Sequence, residues 1–153
     1  MSEHRVSVEW QLAGEFKYET YSRSHTIDFG RKLSVPGNAA PENVPLSAAG
    51  MPGVDPEQAF VAAISACHML WFLHLACTGK FIVERYRDEA SGVLEKNIER
   101  KEAVTRVTLR PAVVFSGPLP TPEQFAQLHE QAHQRCFIAN SVKSEILLEP
   151  RVA

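Results

Sequence analysis

The chain has 153 residues, 44% of them hydrophobic and 22% charged, which suits one soluble domain with a sizeable core. A formal net charge of −2 and a pI near 6.3 supply no basic surface for nucleic acid or for an anionic membrane. Cys67, Cys77 and Cys136 are an odd set, and the opening MSEHRVSVEW has no apolar stretch of the kind a secretory signal needs. These features argue against a disulfide framework and favour reduced or redox-active thiols in the cytoplasm.

Residues 5–10 alternate, with Val6, Val8 and Trp10 on one face, and predict a half-buried strand. Residues 20–29 alternate as well, placing Tyr21, Arg23, His25, Ile27 and Phe29 together, and a turn near Gly14 would join the two strands as a hairpin. Residues 30–54 carry Pro36, Pro41, Pro45 and Pro52 with no period, so a long functional or mobile loop is expected there. Asp55-Pro56-Glu57-Gln58 then reads as a helix start, with an Asp N-cap, Pro at the first turn and Gln at N3.

That first helix should run to about Thr78 and stop at Gly79. Its apolar stretch, 59–77, is nearly long enough for a bilayer, but it contains His68 and His74 and lacks a basic flank before it. A buried helix covered on every side is expected. Strands are predicted over 81–86, 92–96, 104–115 and 144–149. A second helix should run from the Thr121-Pro122-Glu123-Gln124 start to about Cys136. This order predicts an α+β fold, an antiparallel sheet wrapped around a long buried central helix. One sheet covers only one side of such a helix, so a homodimer is expected to supply the rest.

Cys67 lies deep in the first helix, where the helix dipole gives its thiol no help. A cation beside it would activate it, and Arg23 is the candidate, on the inward face of its strand unless it snorkels out to water. Glu57 is the natural carboxylate for that Arg. It stands ten residues before Cys67, roughly 15 Å along a helix, so it meets Cys67 only through the Arg or from a partner subunit. Cys136, closing the polar run His133-Gln134-Arg135, should be more accessible than Cys67 and suits a resolving thiol, whereas Cys77 reads as structural. Trp71 and Phe72 would line an apolar pocket, with His25, His68 and His133 as further candidates. His129-Glu130-Gln131-Ala132-His133 spells H-E-x-x-H, and with Cys136 it offers an alternative zinc site.

Val54-Asp55-Pro56-Glu57-Gln58-Ala59-Phe60, Ser65-Ala66-Cys67 and Cys136-Phe137-Ile138-Ala139-Asn140-Ser141 resemble the osmotically inducible protein C and organic hydroperoxide resistance family (OsmC/Ohr). Lys143-Ser144-Glu145-Ile146 and, more loosely, Leu33-Ser34-Val35-Pro36 add to the resemblance. It implies an intertwined α+β homodimer with sites at the subunit interface. It also implies a hydroperoxide reductase in which Cys67 is the peroxidatic thiol, Cys136 resolves it, and Arg23 with Glu57 holds the thiolate. A dithiol such as a protein-bound dihydrolipoyl group would be the reductant, with no metal and no further cofactor. Two departures mark an atypical subgroup: His68 follows Cys67, and no Arg occurs between Arg31 and Arg85, which leaves Arg31 beside Arg23 as the activating cation. A non-catalytic, ligand-binding member of the same fold is the other alternative.

Overall fold

In the computed structural model, which describes residues 1–48 and 50–153, the alternating N-terminal segment forms β1 (Ser7–Glu9). It pairs antiparallel with β2 (His25–Asp28), Val8 facing Ile27. The joining segment is much longer than a turn at Gly14. Trp10, Phe16 and Tyr21 pack ring on ring between the strands, with centroids 4.9–5.9 Å apart, and Trp10 Nε1 donates to the Ser22 carbonyl at 2.7 Å. This aromatic knot occupies part of the segment predicted as strand from residue 20. The expected half-burial of β1 is not found: Val6 and Val8 are 56% and 65% exposed, because β1 is an edge strand whose apolar side no described element covers.

The predicted loop over 30–54 contains a strand, β3 (Ser34–Gly37), antiparallel to β2. Pro36 hides it from pattern reading, yet an edge tolerates a residue without an N–H. The Pro36 carbonyl accepts from Val54 N at 2.9 Å, and Asn38 N donates to the Val54 carbonyl at 3.1 Å, tying the loop's end back to β3. Short 3₁₀ turns follow at Pro41–Asn43 and Leu46–Ala48.

Helix α1 (Pro56–Thr78) starts and stops where its capping residues predict. Asp55 Oδ1 accepts from Gln58 N at 2.7 Å, and Gln58 Oε1 reaches back to Asp55 N at 3.4 Å. Two compact units divide within its first turns, Met1–Ala59 and Phe60–Ala153.

In the second unit, β4 (Ile82–Asp88) and β5 (Ser91–Lys96) match prediction, but the expected strand over 104–115 is two strands. β6 (Glu102–Leu109) pairs antiparallel with β5, whereas β7 (Pro111–Ser116) pairs antiparallel with β4. The break falls at Arg110, before a proline. Arg110 N donates to Asp88 Oδ1 at 2.6 Å, and its guanidinium holds Glu149 at 2.8 Å. Helix α2 (Pro122–Arg135) follows, then β8 (Glu145–Leu148), parallel to β6, and an unpredicted β9 (Arg151–Val152), parallel to β7.

The chain is thus α+β, its sheets chiefly antiparallel with two parallel additions. The core of the second unit is the contact of its own sheets with α1 and α2. Phe72, Leu75, Ala76, Val113, Phe125 and Ala132 form one cluster, and Ile64, Val107 and Leu109 form another. Thr121 caps α2, accepting from Gln124 N at 3.2 Å while Gln124 Oε1 takes the Thr121 N–H at 2.9 Å. Thr121→Ala should therefore lower stability by about 1 kcal/mol, read as a lower urea midpoint at unchanged slope.

Candidate active site

Helix α1 buries Ile64, His68, Phe72, Leu75 and Ala76, which recur at helical spacing along one stripe. Ala62, Ala63, Ala66 and Leu70 are left exposed, so within one chain the helix is covered on one side only and not all round. Cys67 sits beside the buried stripe and is half-buried. Helix α2 buries Phe125, His129 and Ala132, and ends with Cys136 at its C-cap, where Cys136 N donates to the His133 carbonyl at 3.1 Å.

The chain thereby places Cys67 close enough to Cys136 to act on its thiol, and both cysteines are free. Their exposure is the reverse of what the polar flanks of Cys136 predict: Cys136 is fully buried and Cys67 is not. The reason is local. After α2 the chain turns tightly, Phe137 swings outward at 68% exposure, and Cys136 Sγ points inward to accept from Ala139 N at 3.3 Å. Burial, and then the Cys67 side chain, push the Cys136 thiol up to about 11, outweighing the backbone donors. Cys77 is exposed near the end of α1.

On the same two helices, His68 Nε2 and His129 Nδ1 share a buried hydrogen bond of 3.0 Å. Burial first, and a neighbouring imidazole second, hold both rings neutral, His68 down to about 4 and His129 to about 3. His129 also stacks on Phe72 at 4.3 Å and meets Phe125 edge-on at 4.7 Å. Among the described residues the H-E-x-x-H pattern therefore does not gather a set of metal ligands. His129 is spent in the core, Glu130 accepts from Gln134 at 2.7 Å, and no three His, Cys, Asp or Glu residues converge for a metal among the described residues. His133 has a buried Nδ1 without a partner.

Trp71 is half-buried, edge-on to Phe137 at 5.6 Å, with the Arg135 guanidinium 5.8 Å from its ring. Phe72, expected as a pocket wall, is instead wholly core, set among Tyr86, Phe115, Phe125 and His129. Phe137 carries no pattern signal of its own, since only the turn after Cys136 sets it edge-on to Trp71.

In the N-terminal unit, Arg23 stacks on the Tyr21 ring at 3.5 Å and lies 5.1 Å from that of Tyr18, and it donates to the Tyr21 carbonyl at 2.6 Å. Glu57 Oε2 is buried with no hydrogen-bond partner, and the structure forms no Arg23–Glu57 ion pair within one chain. Arg31 is exposed, in a left-handed turn with Lys32. The His25 ring lies across β3 at Gly37, where a Cβ would collide with it, and His25 Nδ1 is 2.8 Å from the Arg23 carbonyl. A pocket of about 300 Å³, with Asn38, Met51, Asp55 and Gln58 in its wall, opens beside the α1 N-cap. No pattern in the Pro-rich segment announces it.

A family profile described as OsmC-like protein matches residues 48–151. An OsmC-like protein of unknown function from Vibrio cholerae O1 biovar eltor is 45% identical, with a TM-score of 0.94 over 99% of this chain and 100% of that one. The organic hydroperoxide resistance protein OhrB of Bacillus subtilis shares the fold at 20% identity and a TM-score of 0.65, over 98% of each chain. An OsmC-like protein from Mycoplasma pneumoniae does so at 11% identity and 0.75, over 99% of this chain and 98% of that one. No curated protein matches the sequence. Most of its length fits the family profile and a relative 45% identical parallels it from end to end, so the chain belongs to the OsmC-like family.

Proposed function

We propose that the protein is a thiol peroxidase that reduces organic hydroperoxides, with Cys67 as the peroxidatic and Cys136 as the resolving cysteine. The observation that carries this reading is the thiol pair itself, two free cysteines from separate elements, one close enough to shift the other's thiol. The half-buried Cys67 is open to a peroxide, while the high-pKa Cys136 stays a thiol until an electrophilic sulfur forms next to it. Cys67 thiolate attacks the distal peroxide oxygen and breaks the O–O bond. The alkoxide takes a proton and leaves as alcohol, and Cys67 becomes a sulfenic acid. Cys136 then attacks that sulfur and water departs, giving a disulfide. An external dithiol, a dihydrolipoyl group being the first to try, reopens it and is itself oxidised. A cytoplasmic setting, where thiols are kept reduced, goes with this chemistry.

A homodimer completes the proposal. The exposed apolar side of α1, with Leu70 at 63% exposure, is the face a second copy would cover, and the unpartnered Glu57 Oε2 is the carboxylate an Arg, Arg23 first, would meet on assembly. Leu70→Asp should then convert the dimer to monomer by light scattering. An unchanged mass would remove that face from the interface.

The deciding test supplies cumene hydroperoxide to the reduced protein. One equivalent should be consumed and leave a Cys67–Cys136 disulfide by peptide mass spectrometry, and added dihydrolipoamide should sustain turnover. Peroxide left intact, or consumed with both thiols still free, would sink the proposal.

A further inference from the structure

None of the steps above uses the buried histidine pair. The His68 and His129 rings are parallel to within 7°, bonded at 3.0 Å, and only 1% and 2% exposed. Their outer nitrogens, His68 Nδ1 and His129 Nε2, are buried without a partner. An unsatisfied buried polar atom is destabilising, so two leucines packed against Phe72 and Phe125 would serve the core better. What an imidazole pair adds is direction. A buried hydrogen bond favours one register of two packed elements over neighbouring registers that bury similar area.

This bond crosses from α1 to α2, and both its ends are tied to the thiols. His68 adjoins Cys67 in the chain, and His129 lies about two turns before Cys136 on α2. A disulfide requires Cβ atoms roughly 3.5–4.5 Å apart. A one-residue slip of α2 would shift its end about 1.5 Å along the axis and turn it by about 100°, enough to break that geometry.

We propose that His68 and His129 are positioning residues, and that their hydrogen bond holds α2 in the register that brings Cys136 onto Cys67 and so governs disulfide closure. The inference deepens the peroxidase reading and rests on its cysteine pair, but closure can be measured without any peroxide.

The test equilibrates the full chain in glutathione redox buffers and measures the Cys67–Cys136 disulfide by mass spectrometry after alkylation. The effective concentration of the pair should fall at least tenfold in His129→Leu. It should recover in His129→Gln, whose amide can again bond His68, which a purely space-filling role would not produce. His68→Leu is the second probe, for use if His129→Leu does not fold, and the double Leu variant should fall no further than either single one. Equal closure in wild type and the Leu variants overturns the proposal, as does an equal loss in Gln and Leu variants. With excess hydroperoxide, His129→Leu should consume its first equivalent as wild type does but carry Cys67 on to sulfinic acid; a normal disulfide yield there also overturns it. A wild-type protein that closes its disulfide in glutathione, loses closure in the Leu variants and consumes no hydroperoxide supports the positioning role while overturning the peroxidase reading.

Discussion

Cys67→Ser is expected to abolish hydroperoxide turnover, a loss of about a thousandfold or more, whereas Cys136→Ser should retain a single rapid turnover. A serine hydroxyl stays protonated and is a poor nucleophile toward peroxide oxygen, so the first variant has no route to begin. In the second, Cys67 still reaches the peroxide from its half-buried place on α1, but its sulfenic acid has no neighbouring thiol to close on. A burst assay separates the two: no burst for Cys67→Ser, one equivalent for Cys136→Ser, and a dimedone adduct on Cys67 in the latter. Cys77→Ser is the control and should be neutral, because Cys77 is exposed near the far end of α1. A full burst from Cys67→Ser would show that another group does the chemistry.

The second large effect is on stability at low pH. His68 and His129 titrate near 4 and 3 in the fold, held down mainly by burial, against about 6.5 in an unfolded chain. Between those values the unfolded state binds more protons than the native one, so stability rises with pH. The contribution is fully present above pH 6.5 and is lost as pH falls through 4 and toward 3. On the scale of 1.36 kcal/mol per pKa unit the depression is worth about 3 kcal/mol for His68 and about 5 kcal/mol for His129, and mutual contact prevents simple addition. Urea unfolding at pH 7 and pH 4 should show the fall in wild type and a much smaller one in the double Leu variant at these positions. Equal pH dependence in the two would mean that other groups set the acid limit.

The sequence announces most strongly what is local. Asp55 with Gln58 and Thr121 with Gln124 predict both helix starts, since a capping box is made of residues three apart and needs no distant partner. The strands at β4, β5 and β8 are legible for the same reason. Pattern fails where pairing comes from far away. β3 is hidden by Pro36 because its partners are the backbones of β2 and Val54, and β6 and β7 read as one run because both flank the break with buried residues. The candidate residues divide in the same way. Cys67, Cys136, Glu57 and Arg23 are visible by type and spacing, but nothing in their order indicates that Cys136 is the buried thiol or that Arg23 lies on tyrosine rings.

By itself, then, the sequence determined the α+β class, both helices with their capped starts, and the cysteines worth testing, because those depend on composition and short-range periodicity. Only the tertiary structure decided that Cys67 meets Cys136, that His129 bonds His68 instead of joining a zinc site, and that Phe72 belongs to the core. Those outcomes depend on how α2 docks on α1. That docking is the sum of many weak contacts between residues some sixty positions apart, and no local pattern records it.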